Sequence, residues 1–238
     1  MFKMNLSIII PAYNEEKRIK TTLEKLVEKF NKSCEILIVS ESTDKTDDIV
    51  KKFSKTAPFV KLVTSTKRLG KGGAFKKGVK NAHGKIVMLL DSDLPIFLSD
   101  VKNIISSIGE IDVAVASREI EGTKILVYPP LIRVFAGKSF SKLFNLLFNL
   151  QVKDTQCGCK AFKKEVLEKV LPTVESNGFE FDAELLFRCK KMGYKIKEIP
   201  VNWSYKPNSK LNLLRDTINM GKGVLKLWIK THLATQKN

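Results

Sequence analysis

Five short, almost uninterrupted apolar runs occupy the first half of the chain, at residues 6–10, 35–39, 59–64, 86–90 and 111–116. Stretches with helical apolar spacing separate them, near 15–30, 44–55, 71–81 and 99–107. A strand that is apolar on both faces must be covered on both, and helices in alternation supply that cover. The pattern therefore predicts an α/β fold around a largely parallel sheet. It also says where chemistry should sit. Ligands of open parallel sheets bind beyond the carboxyl ends of the strands, and the segments after residues 10, 39, 64 and 90 are the polar ones.

From about residue 118 the alternation changes. Pro129-Pro130 opens a strongly apolar amphipathic stretch to residue 150, followed by a strand-like run at 160–162, a helix from Lys164, a helix over 182–192 and strands near 195–205. Three parts result: 1–117, 118–205 and a tail, 206–238. In the tail Leu211, Leu214, Ile218, Leu225 and Trp228 share one helical face, while Lys222, Lys226 and Lys230 step along another. That pattern suits a helix lying in a membrane interface and equally a helix packed on its own domain.

Asp91-Ser92-Asp93 follows the fourth apolar run. Two carboxylates at i and i+2 past a buried strand can reach one hard divalent cation and leave its other positions to water and diphosphate oxygens. Such a triplet also caps helices and makes turns, although Leu94-Pro95 delays the next helix. After the first run comes Pro11-Ala12-Tyr13-Asn14-Glu15-Glu16. There Pro11 is expected to stop the strand, Tyr13 offers a flat ring, and Glu15 can accept from a base or ribose or simply begin a helix. Gly70-Lys71-Gly72-Gly73-Ala74 lacks the spacing of a P-loop or a dinucleotide fingerprint, so by itself it supports a tight turn into a helix near an anion. Four cysteines and two histidines show no zinc spacing; Cys157-Gly158-Cys159 could chelate a soft metal or form a strained disulfide, but reads first as small half-buried side chains.

Together these residues resemble the inverting glycosyltransferases of family 2, which have the GT-A fold. The P-x-Y-N-E motif of that family is matched by Pro11 to Glu15 and its D-x-D by Asp91 to Asp93. Further along, the match narrows to the polyprenyl (dolichyl) phosphate hexosyltransferases, above all the dolichyl-phosphate β-glucosyltransferase branch. It is carried by residues 70–74, Ala116-Ser117-Arg118, residues 154–162 and 178–186, Val201-Asn202-Trp203 and Ser209-Lys210-Leu211. The resemblance implies a donor half, 1–117, an acceptor half, 118–205, and an interfacial tail. Implied donor-binding residues are Pro11, Tyr13, Glu15, Glu41, Lys71, Asp91, Gln156 and Lys210. Asp91 and Asp93 hold Mg2+ or Mn2+, Asp93 being also catalytic, and Arg118 and Arg133 take the acceptor phosphate. Asp182 is either a base or acceptor-positioning group, or the N-cap of the helix it begins. Where the family carries D-D-G-S, this chain has Ser40-Glu41-Ser42. Glu41 is then the carboxylate for the nucleobase, and base and sugar stay open between UDP-glucose, which Trp203 favours, and GDP-mannose.

Lys and Arg number 42 against 25 acidic residues, a net charge of +17, and all but six of the cations are lysine. Lysine-rich charge suits an anionic membrane surface or a phosphorylated ligand better than base-reading of nucleic acid, which favours arginine forks. A nucleic-acid partner is not expected. No apolar run reaches the 18 residues of a membrane span, and the first residues lack the pattern of a signal peptide. The expectation is a cytoplasmic enzyme, peripheral on the inner face of the cell membrane, that transfers a hexose to polyprenyl or dolichyl phosphate. A soluble family 2 enzyme acting on a polysaccharide, glycan or small molecule is the alternative.

Overall fold

The structure, a computed structural model, describes residues 5–206 and 213–235, with side chains of the last helix described over 218–231. Lys210 lies outside these residues. The chain runs β1 (Leu6–Ala12), α1 (Ile19–Phe30), β2 (Glu35–Ser40), α2 (Thr46–Thr56), β3 (Val60–Thr64), α3 (Gly70–Asn81), β4 (Ile86–Leu90), α4 (Leu98–Ser107) and β5 (Val113–Ser117). It continues through β6 (Lys124–Val127), α5 (Leu131–Phe148), β7 (Cys159–Lys163), α6 (Lys164–Val170), α7 (Phe181–Lys191), β8 (Ile196–Pro200), β9 (Asn202–Ser204) and α8 (Leu213–Thr235).

Seven strands form one sheet in the order β3-β2-β1-β4-β7-β5-β8, and β6 and β9 make a second, two-stranded sheet. All neighbours in the large sheet are parallel except β7, which runs antiparallel between β4 and β5. The sheet is thus mostly parallel, as its apolar runs predict, and β7 stitches the second half of the chain into the first. Alternation along β1 assigns the layers. Ile8 and Ile10 point into a core covered by α1, α2 and α4, whereas Ile9 points into the core under α3, α5, α6, α7 and α8. All three isoleucines are fully buried, each side chain contributing about 1.5–3 kcal/mol of transfer free energy.

Two local expectations need correction. Pro11 does not stop β1, which continues through Ala12 in register with β2; pairing with β4 ends at Ile9, so the missing N–H costs that ladder nothing. In α8, Met220, Val224 and Leu227 bury into the core with Trp228 packed beside them, whereas Ile218, Leu225 and Ile229 face outward. Trp228 therefore leaves the face it was expected to share with Ile218 and Leu225. Within α5, Phe144 and Phe148 belong to the core and Phe140 packs against it, so Phe135 is the one phenylalanine of that helix that is broadly exposed.

Candidate active site

The carboxyl ends of β1, β2 and β4, the segment leading into β7 and the first turn of α7 meet at one place. Asp91 follows β4 directly, its N–H bonded to the Gly158 carbonyl at 3.1 Å. The Asp91 carbonyl accepts from Leu94 N–H at 3.3 Å, and Leu94 adopts a left-handed φ of 44°. That backbone is rare for a leucine and turns the chain sharply behind the acidic pair. Helix α4 begins only at Leu98, with Phe97 at the cap position, so the triplet does not cap it. Gly158 is there for space: a methyl group on it would overlap the Asp91 carboxylate.

Charged side chains form a row through this point. Lys160 Nζ lies 2.6 Å from Asp182 Oδ1, Asp182 Oδ2 lies 2.9 Å from Lys71 Nζ, and Lys71 Nζ lies 3.2 Å from Asp91 Oδ1. Beyond the acidic pair, Asp93 Oδ2 is 3.7 Å from Arg18, whose guanidinium holds Glu15 at 2.7 Å. Signs alternate along the row except between Asp91 and Asp93. There two anions adjoin, and burial followed by the Asp91 charge pushes the Asp93 carboxyl up to about 6. A divalent cation is the species that relieves such a pair. Among the described residues, three buried side-chain polar atoms lack a hydrogen-bond partner: Arg18 Nη1, Gln156 Nε2 and Asp182 Oδ2. Asp182 Oδ2 is within ion-pair reach of Lys71, and Arg18 Nη1 lies 3.7 Å from Asp93 Oδ2; Gln156 Nε2 is left as the open donor, which suits an anionic ligand.

The row also redefines Asp182. Glu180 occupies the cap position of α7 and Asp182 lies inside the first turn, so the N-cap reading does not hold. Burial raises its pKa, but Lys160 and then Lys71 more than offset this and hold it below the ordinary carboxylate range. A carboxylate so held is a poor proton acceptor. Burial disfavours the Lys71 ammonium, yet Asp182 and Asp91 overcome that and raise its pKa.

Tyr13, Glu41 and Arg68 form a second cluster. The Arg68 guanidinium carbon stands 3.3 Å from the Tyr13 ring centroid, and Arg68 donates to Glu41 Oε1 at 2.9 Å. The Leu69 N–H donates to the other Glu41 oxygen. The flat ring and the carboxylate singled out in the sequence are thus brought together, with Arg68 over the ring face.

A third cluster lies at the end of β5. Arg118 donates its backbone N–H, Nε and Nη2 to Asp154 at 2.9, 2.7 and 2.8 Å. Arg118 stands over Trp203 and Arg133 over Tyr205. Next to Arg133 an apolar rim is exposed, comprising Leu126, Tyr128, Leu131, Ile132 and Phe135. Arg18, Arg68, Lys160 and Asp154 were assigned no role from sequence. Lys160 alone carried a visible signal, a lysine inside an apolar strand, which demands a buried anion. All four cysteines are free and buried.

Residues 7–171 match Glycosyl transferase family 2. The chain belongs to this family. Dolichyl-phosphate beta-glucosyltransferase of Saccharomyces cerevisiae is 30% identical, aligned over 92% of this chain and 73% of its own. The Dictyostelium discoideum protein of the same name is 28% identical over 93% and 73%. Glycosyltransferase AglD of Haloferax volcanii is 28% identical over 94% of this chain, which spans only 37% of AglD. Among solved structures, glucosyl-3-phosphoglycerate synthase of Mycobacterium tuberculosis bound to UDP superposes with a TM-score of 0.69 at 18% identity, covering 95% of this chain and 79% of that one. Mannosyltransferase PcManGT of Pyrobaculum calidifontis, in complex with GDP-Man and Mn2+, gives 0.60 at 21% identity, covering 90% and 59%. This family 2 glycosyltransferase therefore has the expected GT-A fold, and its acidic pair, Lys71 and Arg118 stand on the carboxyl side of that sheet.

Proposed function

We propose that this glycosyltransferase moves a hexose from a nucleotide diphosphate sugar, UDP-glucose in preference to GDP-mannose, to the phosphate of a polyprenyl or dolichyl phosphate, with inversion at the anomeric carbon. The product would be a lipid-phosphate-linked sugar for glycan or glycoprotein assembly. The observation that carries the reading is the break in the charge row, where Asp91 and Asp93 adjoin with Lys71 on one flank and Arg18 on the other. The names of the relatives point the same way.

Asp91 and Asp93 would hold a Mg2+ or Mn2+ ion, which when bound neutralises charge on the departing diphosphate. Lys71 adds a second positive charge, and Asp182, fixed by Lys160, positions Lys71 rather than taking a proton. Gln156 Nε2, a buried donor without a hydrogen-bond partner among the described residues, is assigned to the donor sugar nucleotide. Tyr13 and Glu41 form the nucleobase end; Pro11, Glu15, whose two carboxylate oxygens are taken by Arg18, and Lys210 are assigned to the donor by resemblance. Arg118 and Arg133 hold the acceptor phosphate, one of whose oxygens attacks the anomeric carbon opposite the bond that breaks to the diphosphate. A phosphate monoester is largely dianionic at neutral pH, its second pKa being near 6, and so needs no general base.

A lipid acceptor keeps its chain in a bilayer, so the site must come to the interface. Among the described residues no helix is long and apolar enough to cross a membrane. The rim beside Arg133 and the outward face of α8, Ile218, Leu225 and Ile229 with Lys222 and Lys226, suit peripheral attachment to the anionic cytoplasmic face, each lysine adding about 1 kcal/mol. Lys230 also lies there but is paired with Glu175.

The test incubates the protein with radiolabelled UDP-glucose or GDP-mannose, a divalent metal and polyprenyl phosphate, followed by organic extraction. Label should enter the lipid phase and do so best from UDP-glucose. No label in the lipid phase from either donor would favour the soluble-enzyme alternative.

A further inference from the structure

Arg133 sits in the first turn of α5 and, among the described residues, no carboxylate pairs with it; what it faces is the Tyr205 ring, 5.7 Å from its guanidinium carbon. Arg118 has the Trp203 ring at 5.4 Å. The two rings are neighbours, their centroids 6.4 Å apart and their planes tilted by 38°. Residues 203 and 205 are spaced i and i+2 along an extended segment, so both side chains project to one side. The order is cation, ring, ring, cation.

We propose that Trp203 and Tyr205 are positioning residues for the acceptor, an aromatic rail whose ring faces hold the Arg118 and Arg133 guanidiniums, Arg133 above all, in place for the acceptor phosphate. The proposal rests on the acceptor role given above to the two arginines. Two guanidiniums directed at one small anion repel each other until it arrives. Ring faces are the negative ends of the aromatic quadrupole, and placing them against both cations offsets that repulsion without adding a carboxylate that would compete with the phosphate. Arg118 already has such a competitor: its Nε and Nη2 are committed to Asp154. Arg133 has none, and its orientation depends on the ring.

The rail is tied to the donor side by backbone. The Ser204 N–H donates to the Pro95 carbonyl at 2.8 Å, the Phe97 N–H to the Asn202 carbonyl at 3.3 Å, and Trp203 bridges to Ile96. Asn202 is held by Asp100 through its backbone N–H at 2.7 Å and its side-chain amide. Residues 95–97 leave the turn that contains Asp91 and Asp93. Ring positions are therefore fixed relative to the acidic pair, and the guanidiniums relative to the anomeric carbon.

The experiment compares Tyr205→Phe, Tyr205→Leu, Arg133→Lys and Arg133→Ala for KM of polyprenyl phosphate, KM of UDP-glucose, kcat and thermal midpoint. Tyr205→Phe keeps the ring and should keep the acceptor KM. Tyr205→Leu should raise that KM by about fivefold, the scale of one lost cation–π contact, with the donor KM and midpoint unchanged. In the Arg133→Ala background the same Leu change should add nothing. Arg133→Lys leaves the aromatic packing intact but loses the planar stack, and should raise the acceptor KM about as much. A wild-type acceptor KM for Tyr205→Leu or Arg133→Lys beside a raised one for Arg133→Ala overturns the rail and leaves the acceptor assignment standing. Loss in Tyr205→Phe equal to that in Tyr205→Leu also overturns it, because the hydroxyl would then be the active feature. An unchanged KM in Arg133→Ala removes the acceptor assignment and the rail together.

Discussion

Removing one charge at the point where Asp91 and Asp93 adjoin should weaken metal binding without loss of fold, since Asp93 is a source of electrostatic cost in the metal-free protein. Asp93→Asn is expected to lower transfer by at least about a hundredfold while its thermal midpoint stays at or above that of the wild type; excess chelator should silence the wild type equally. Both are read by initial rates at saturating donor, and full activity in chelator would remove the metal from the account. At this scale the acidic pair was legible because its spacing and its place after an apolar run are local. Arg18 and Arg68 were not, because what defines them is a partner elsewhere: Asp93 for one, the Tyr13 ring and Glu41 for the other. Lys160 was half legible, as a charge in a buried strand, although no sequence spacing names Asp182 as its counter-ion.

At the far end of the sheet, Glu35 opens β2 fully buried and accepts from Ser7 Oγ at 2.6 Å, from Lys61 at 3.2 Å and from the His83 N–H. These contacts join β1, β2, β3 and the connection into β4. Burial raises the Glu35 pKa, and the bonds from Ser7, His83 and Lys61 bring it net below its ordinary 4.5. A depressed folded pKa stabilises above the unfolded value, and that contribution is lost as pH falls through the folded one. Glu35→Gln should therefore cost about 1–3 kcal/mol at neutral pH, and its gap from wild type in urea unfolding should close as pH drops below 4.5; a gap that is constant with pH would contradict the assignment. Elements with apolar runs were legible throughout. Strand β6 was not, because Lys124, Leu126 and Val127 are exposed and lack the pattern of burial. The antiparallel direction of β7 was hidden too, since it depends on strands distant in sequence, as in the Leu89–Lys160 and Val115–Lys160 pairings. In α8, apolar residues on two faces let sequence reading choose the wrong companion for Trp228.

For the whole molecule, the net charge of +17 and the exposed apolar rim make surface attachment testable. Cosedimentation with phosphatidylserine vesicles should weaken with salt, and Leu225→Ser with Ile229→Ser should weaken it further at an unchanged thermal midpoint. Leu227→Ala, on the buried face, should instead cost about 2–5 kcal/mol of stability. If vesicles of every composition are ignored, the soluble-acceptor reading gains. On the proposed function, one oxygen of a lipid phosphate displaces a nucleoside diphosphate from the anomeric carbon in a single inverting step. It is tested most directly by phosphorus–proton NMR of the lipid product made from UDP-α-glucose. A β-configured glucose coupled through its anomeric proton to the lipid phosphorus is the predicted result; an α-configured product, or glucose not bonded to phosphorus, would contradict the account.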